Sequence, residues 1–484
     1  MTDTTENFID ASHSGIRLDL NLFWYGKKVG SFTLNDGDII WGGFSDPQYE
    51  KLFKCREEDG APQFLVNLHP DNAVFDLIGH GKQDKFISSG VRFLTNISIS
   101  QESSDILAVK RDELGGKLAD FTQDAAFVGN LNMFTNINSL DEDDLAEQVS
   151  KHWKDRCLSR FSGAEIKLPA SLTENGQLYT PSGREAFTHF IKFPTLGGKE
   201  GWGVNEWTCL EVSRRIGLPT AEASLLKFDE KMPPALIVER FDIPEQGSGD
   251  KTQYLLQDFC TLGGLDVGFN ADRGQGKVAG SMEELGKIVN SLSTSPTRDA
   301  ELLLKRTLLS WCVGDGDMHR KNISMLFEYN PETQKIENAS MSPVYDVTSE
   351  IWIDERYGDQ EMAVKLVGKT KKLKEASFVA LAKNMGIEEV RAKEIIKDTV
   401  EAVAREAVDI AKNLPSIVED CPSGVFNVYR IASYAVNTAN RFGYDAPEWT
   451  RMDVPKGQRG KSLAKTLGEQ NYNAEILYAV PEIM

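Results

Sequence analysis

Residues 314–324 read GDGDMHRKNIS, two aspartates, a histidine, two cations and an asparagine in one glycine-punctuated run. The run follows the apolar helical pattern ELLLKRTLLSWCVG (301–314) and leads into the apolar stretch ISMLF (323–327). Composition alone allows either a solvated turn or a loop that carries chemistry. Asp317 and Asn322 stand at D-x-x-x-x-N spacing, a pattern frequent enough by chance that its surroundings must decide the reading.

Phosphoryl transfer needs a carboxylate near the acceptor hydroxyl and metal ligands that gather the charge on nucleotide phosphates. The D-x-x-x-x-N spacing supplies the first carboxylate and one ligand. Downstream, SPVYDVTS brings in Asp346, and two strands joined by EYNPETQKIENAS would carry Asn322 and Asp346 to the same end, within reach of one magnesium ion. The same chemistry asks for a lysine on an upstream strand, a carboxylate on the next helix and a hinge, in that order. FTHFIKFP offers Lys192, NEWTCLEVSRRIGL offers Glu206, and PALIVERFD (234–242) reads as a buried strand ending in a charged stretch. Taken singly, Lys192 is a solvated edge-strand charge and Glu206 an acid suited to a first helical turn; their order argues otherwise.

A phosphate-covering loop is expected at SRFSGAEIK (159–167), where Ser162, Gly163 and Ala164 are small enough for backbone N–H groups to approach phosphate oxygens. LGGKEGWG (196–203) is the alternative glycine-rich loop, but it follows the strand lysine and fits an insertion better. The SRFSGAEIK loop lacks the G-x-x-x-x-G-K-[ST] pattern, which excludes a Walker-type site there. His319 reads as a base, a metal ligand or, since no second histidine sits at metal spacing, a structural or nucleotide-contacting group. Arg320 and Lys321 are phosphate-neutralising or solvated, and Asp315 reads as a turn residue.

At 484 residues, with 40% hydrophobic and 26% charged residues, the chain is expected to fold as two to four domains or lobes. A net charge of −19 argues against broad electrostatic capture of nucleic acid. The start MTDTTENFIDASHSG lacks signal-peptide order and no apolar run is long enough for a bilayer, so a cytoplasmic protein without membrane attachment is expected. The six cysteines show no C-x-x-C spacing and read as buried free thiols.

Along the chain, Ile16, Leu18, Leu20 and Leu22 alternate as in a half-buried strand, and WYGKKVGSFTL reads as a hairpin. Residues 1–150 form an accessory subdomain, 151–255 a strand-rich lobe with the phosphate loop, 256–450 a helical lobe with the catalytic and metal loops, and 451–484 an extension. Ile396, Val400, Val403, Ala407, Ile410 and Leu414 recur at alternating steps of four and three, one apolar face of a long helix stopped by Pro415. The expected fold is α/β (α+β): a two-lobed protein-kinase-like fold with a strand-rich N-lobe, a helical C-lobe and the N-terminal accessory subdomain.

These blocks resemble the HipA-like serine/threonine kinases, toxin components of HipBA toxin–antitoxin systems. LSWCVGDGDMHRKNIS resembles the family's apolar helix and G-x-x-D-x-H-x-K-N, SPVYDVTS its P-x-Y-D, and SGAEIK its G-A-Q-x-K loop. FTHFIKFP, NEWTCLEVSRRIGLP, ALIVERFD, MAVKLVGK and even NLHPDN fall in the family's order. The resemblance implies Asp317 as the catalytic aspartate and Asn322 and Asp346 as magnesium ligands. It also implies Lys192 on the ATP phosphates, Glu239 and Phe241 at the adenine-side hinge, His319 and Lys321 in the ATP-contacting stretch, and Tyr345 beside the metal-binding aspartate.

Two positions depart from the family. The serine that many members phosphorylate in themselves is Arg160 here, which leaves Ser162 or Ser159 as the acceptor; the loop's usual glutamine is Glu165. The implied function is ATP- and Mg-dependent phosphorylation of a protein such as an aminoacyl-tRNA synthetase. The implied partner is a small helix-turn-helix antitoxin of the HipB type, through which alone DNA would be met. A catalytically silent nucleotide-binding protein and a small-molecule kinase are the alternatives.

Overall fold

A computed structural model describes residues 17–35, 38–67, 97–100, 116–120, 126–127, 167–174, 176, 178–179, 187–192, 201–227, 233–243, 252–265, 273–350 and 361–449. The chain opens with β1 (Arg17–Trp24), β2 (Lys27–Asn35) and β3 (Asp38–Phe44), followed by α1 (Pro47–Leu52), α2 (Gln63–Asn67) and β4 (Ile97–Ser100). The four strands form one antiparallel sheet ordered β3-β2-β1-β4. The turn between β1 and β2 is Tyr25–Gly26, both at positive φ (47° and 76°), the two-residue geometry that matches strand twist. Helix α1 starts where the Asp46 carboxylate accepts from the Gln48 amide at 3.0 Å, with proline in its first turn.

A second sheet contains β5 (Ala126–Phe127), β6 (Lys167–Leu172), β7 (Leu178–Tyr179), β8 (His189–Lys192), β9 (Ala223–Leu226) and β10 (Ala235–Glu239), in the order β5-β9-β10-β8-β6-β7. Helix α3 (Trp202–Arg215) connects β8 to β9. Then come β11 (Gln253–Asp258), α4 (Phe259–Leu262), α5 (Arg273–Val278), α6 (Met282–Leu292), α7 (Pro296–Val313), β12 (Ser324–Asn330) and β13 (Lys335–Met341), the three strands pairing as β11-β12-β13. β14 (Glu361–Leu366) and β15 (Lys369–Lys371) form a hairpin before α8 (Glu375–Asn384), α9 (Glu389–Lys412), α10 (Ser416–Glu419) and α11 (Pro422–Phe442). This is the mixed α/β, two-lobed architecture expected from the sequence. The expected lobe boundary between 255 and 256 falls inside β11, whose partner is β12.

The core of the helical lobe follows from periodicity. Ile396, Val400, Val403, Ala407 and Ile410 of α9 are all buried, packed against α7 and α11. The helix ends at Lys412, short of Leu414, because a residue before proline is driven out of the helical region and Pro415 follows. Ile396→Val should cost about 0.5–1.5 kcal/mol, read as a shift of the urea midpoint with an unchanged slope.

The accessory subdomain docks on β11 and β12. The Trp24 and Tyr329 rings lie 5.4 Å apart, the Tyr329 hydroxyl donates to Gln48 Oε1 at 2.6 Å, and the Tyr254 amide donates to the Tyr25 hydroxyl at 3.0 Å. Cys209, Cys260, Cys312 and Cys421 are buried free thiols and Cys55 is half-buried, while Cys157 lies outside the described residues. Among the described residues no helix is long and apolar enough to cross a membrane.

Candidate active site

Strand β8 runs between β10 and β6, with Lys192 opposite Leu236 and Lys167. Lys192 is therefore on an interior strand and is buried; the edge-charge reading does not describe it. Its ammonium donates to Glu206 at 2.7 and 2.6 Å and to Asp346 Oδ1. Glu206 lies in the second turn of α3, 1% exposed, so it faces Lys192 rather than complementing a helix start.

The loop 314–324 takes its shape from buried polar contacts. Gly314 ends α7 at φ 74°, the left-handed cap that glycine adopts without steric cost. The Asp315 carboxylate accepts from the Ser310 hydroxyl at 2.9 Å and from the Asp317 amide at 3.0 Å. Burial, then the neighbouring Asp317, pushes the Asp315 carboxyl well above its usual range. It is a turn residue, but a buried one that aims the backbone of Asp317. The Asp317 carbonyl accepts from Asn322 Nδ2 at 3.0 Å and from the His319 amide at 2.6 Å, while its side chain is 52% exposed. Nε2 of His319 lies 3.8 Å from Asp317 Oδ1. Burial, with Lys277 adding, pushes the His319 imidazole down to about 4, so it is neutral at pH 7.

Arg320 is buried and ties the loop down, donating to the Ala279 carbonyl at 2.6 Å and Glu284 Oε2 at 2.6 Å. Lys321 donates to the Asn67 carbonyl at 3.3 Å. That contact brings the accessory subdomain to the loop at the first residue of the NLHPDN block.

Asp346 sits at φ 53°, a conformation costing roughly 1–2 kcal/mol for a residue with a Cβ, and is held there from several sides. The Val344 amide donates to the Pro219 carbonyl at 2.7 Å and the Ala221 amide to the Val344 carbonyl at 2.9 Å. The Tyr345 hydroxyl donates to the Lys321 carbonyl at 3.0 Å, and its ring stands 5.8 Å from that of Phe241. Burial alone would raise the Asp346 carboxyl, but Lys167 and Lys192 outweigh it and hold the group well below the usual carboxylate range.

Beneath these residues lies Arg306, buried in α7, whose guanidinium donates to the carbonyls of Asn322 and, at 3.1 Å, Tyr345. It fixes the backbones at Asn322 and just before Asp346 relative to each other. In the sequence Lys305-Arg306 looks like a solvated pair. The available signal was spacing, since Leu303, Arg306, Ser310 and Val313 share one face and all are buried.

At the expected hinge, the Glu239 amide donates to the Glu222 carbonyl at 2.8 Å, while its carboxylate accepts from the Leu118 amide at 3.1 Å and lies 3.7 Å from His189 Nε2. Ser159, Ser162, Gly163 and Ala164, with Arg160 and Glu165, lie outside the described residues, as does the extension 451–484.

Residues 159–407, 249 of the 484, match the family model of the HipA-like C-terminal domain. The chain belongs to the HipA-like family. Two curated relatives are the Sinorhizobium fredii proteins named "Putative kinase Y4mE" and "Putative kinase Y4dM". Y4mE is 26% identical over 292 residues, covering 58% of this chain and 62% of its own; Y4dM is 28% identical over 273 residues, covering 53% and 61%. The chain thus spans about three-fifths of the length of the curated relatives it matches. Among solved structures, HipA of Shewanella oneidensis MR-1, determined with HipB and operator DNA, superposes with a TM-score of 0.59 at 17% identity, covering 88% of this chain and 98% of that one. At that identity the likeness establishes the HipA fold.

One titratable group of this HipA-like site was not singled out in the sequence. Glu350 Oε2 lies against Gly316, where an added Cβ would meet it at 2.5 Å, and the Glu350 amide donates to the Gly314 carbonyl at 3.0 Å. Burial, then the Asp317 carboxylate, pushes the Glu350 carboxyl up to about 7. A carboxyl raised on folding binds more protons in the native state. Its contribution is therefore fully present below the unfolded value near 4.5 and is lost as pH rises through about 7. Glu350→Gln should melt higher than the wild type at pH 8 and nearly level with it at pH 5. Thermal melts at the two pH values check this, and equal differences at both would contradict it.

Proposed function

We propose that this chain is an ATP- and Mg-dependent serine/threonine protein kinase of the HipA type. The observation that carries the reading is the three-way contact of Lys192 with Glu206 and Asp346, made beside the loop in which Asp317 and Asn322 are bonded together. A strand lysine oriented by a helix carboxylate is placed to hold nucleotide phosphates. Asp317, ordered through its backbone with its carboxylate half-exposed, would orient or deprotonate the acceptor hydroxyl. His319, neutral at pH 7, serves nucleotide contact by hydrogen bonding rather than by charge, and Phe241 and Tyr345 supply an aromatic wall with Glu239 at the hinge.

The donor set suits magnesium. Among the described residues no three His, Cys, Asp or Glu gather into a cage, and magnesium bound with nucleotide usually takes only one or two carboxylates, completing its shell with phosphate and water. Asp346 stays ionised, and Asn322, its nitrogen spent on the Asp317 carbonyl, has its amide oxygen to offer. Asp346 and Asn322 would hold the ion, which would supply charge neutralisation for the phosphates, and Arg306, bonded to the carbonyls of Asn322 and Tyr345, would keep the two residues in register.

The family and the HipB-bound neighbour favour a toxin held by an antitoxin, and the sequence resemblance implies a protein of translation, such as an aminoacyl-tRNA synthetase, as its substrate. A small helix-turn-helix antitoxin would restrain it and make the contact with DNA. The test is incubation with γ-labelled ATP and cell extract, with magnesium or with a chelator. Acid-stable label on serine or threonine of a protein, lost with the chelator, is expected. Label confined to small metabolites would replace the protein-kinase reading, and no label in any fraction would defeat it.

A further inference from the structure

Asn205, 1% exposed, immediately precedes Glu206 in α3. Its Nδ2 donates to the Ser349 carbonyl at 2.9 Å and its Oδ1 accepts from the Ser349 amide at 2.7 Å. One planar amide thus satisfies both backbone groups of a single residue, as a neighbouring strand would. The Cys209 thiol adds a weak donor to the same oxygen at 3.8 Å.

The two bonds close a ring. From Asn205 the path runs to Glu206, through its carboxylate to Lys192, from Lys192 to Asp346, along the chain to Ser349 and back to Asn205. The next residue, Glu350, bonds through its amide to the Gly314 carbonyl at 3.0 Å, so the chain clamped at Ser349 passes directly onto the loop of Asp317. Asp346 stands within this ring at φ 53°, and a strained backbone persists only where its surroundings over-determine it. Lys192 holds Asp346 by its side chain, and Asn205 holds the chain three residues beyond.

Resting on the kinase reading above, we propose that Asn205 is a positioning residue: its amide clamps the segment after Asp346 to the helix that carries Glu206, so that the lysine–glutamate pair and the metal-side aspartate are set as one unit. The residue type matters. Aspartate keeps the acceptor and loses the donor, serine reaches one partner at a time, and leucine satisfies neither.

A control on α11, which contacts the start of α3, separates this role from general packing. Asn427 is also buried and donates through Nδ2 to the Gly201 carbonyl at 3.0 Å, at the other end of the first turn of α3 and outside the ring. Asn205→Ser and Asn427→Ser are compared with the wild type by kcat and KM for ATP in magnesium, and by amide exchange at residues 346–350. Asn205→Ser should lower kcat about 10- to 100-fold with KM for ATP moved less than about threefold, and should speed exchange at Ser349 about tenfold or more. Asn427→Ser should stay within about threefold of the wild type in both readouts. Unchanged kcat in Asn205→Ser, an equal fall in the two variants, or unchanged exchange at Ser349 would overturn the proposal. A wild type that transfers no phosphate defeats the kinase reading separately, and the exchange comparison still decides whether the clamp exists.

Discussion

Exchanging Lys192 for methionine should destabilise the protein by about 3–5 kcal/mol, the usual consequence of removing one partner from a buried ion pair. The ammonium is the shared partner of Glu206, 1% exposed, and of Asp346, whose side chain is 31% exposed. Asp346 can recover part of its hydration when the lysine goes. Glu206 cannot, and its carboxylate is left in the interior without its ammonium partner. Methionine fills much the same volume, so the loss reports charge rather than a cavity. The double variant Lys192→Met with Glu206→Gln should therefore be more stable than Lys192→Met alone by about 1–3 kcal/mol, a coupling expected only for groups in direct contact. Urea denaturation of the wild type, both single variants and the double variant measures it. Additive single effects would show that the pair does not act as drawn.

The same contact sets an acid limit. The folded Asp346 carboxyl lies below its ordinary value, so its contribution is present above the unfolded value and is lost as pH falls through the depressed one. Around neutral pH its protonation does not vary. In that range Glu350, whose carboxyl the Asp317 carboxylate helps to raise to about 7, does titrate.

Much of the fold was legible because it rests on short-range rules. The β1–β2 hairpin follows from alternation around Tyr25-Gly26, and α9 from steps of three and four broken at Pro415. Lys192, Glu206, Asp317, Asn322 and Asp346 were all singled out from residue type and order, and the structure brings Lys192, Glu206 and Asp346 into contact and bonds Asn322 to the Asp317 carbonyl. What stayed hidden were side chains whose partners are backbone groups remote in sequence. Arg306 bonds carbonyls 16 and 39 residues away, and Asn205 bonds a residue 144 away. A carbonyl is the same at every residue, so neither partner leaves a mark in the sequence. Asp315, between two glycines, was read only as a turn residue because its burial does not show in the sequence, and Glu350 was missed because its approach to Gly316 joins residues 34 apart.

Truncating Asp317 to alanine should lower phosphate transfer by about 10²–10⁴-fold, the span of positioned acid–base catalysis, while leaving the fold nearly untouched. The separation follows from the geometry. The Asp317 amide and carbonyl make the bonds that shape the loop, to Asp315, His319 and Asn322, and alanine keeps both. The carboxylate is half-exposed, so its loss exposes no core. The decisive measurement is transfer of labelled phosphate from ATP to cell-extract proteins by the wild type and by Asp317→Ala, with matched melting curves. Catalysis through Asp317 requires strong labelling by the wild type and a loss of about 10²-fold or more in a variant that melts with it. Equal labelling by the two proteins would contradict it.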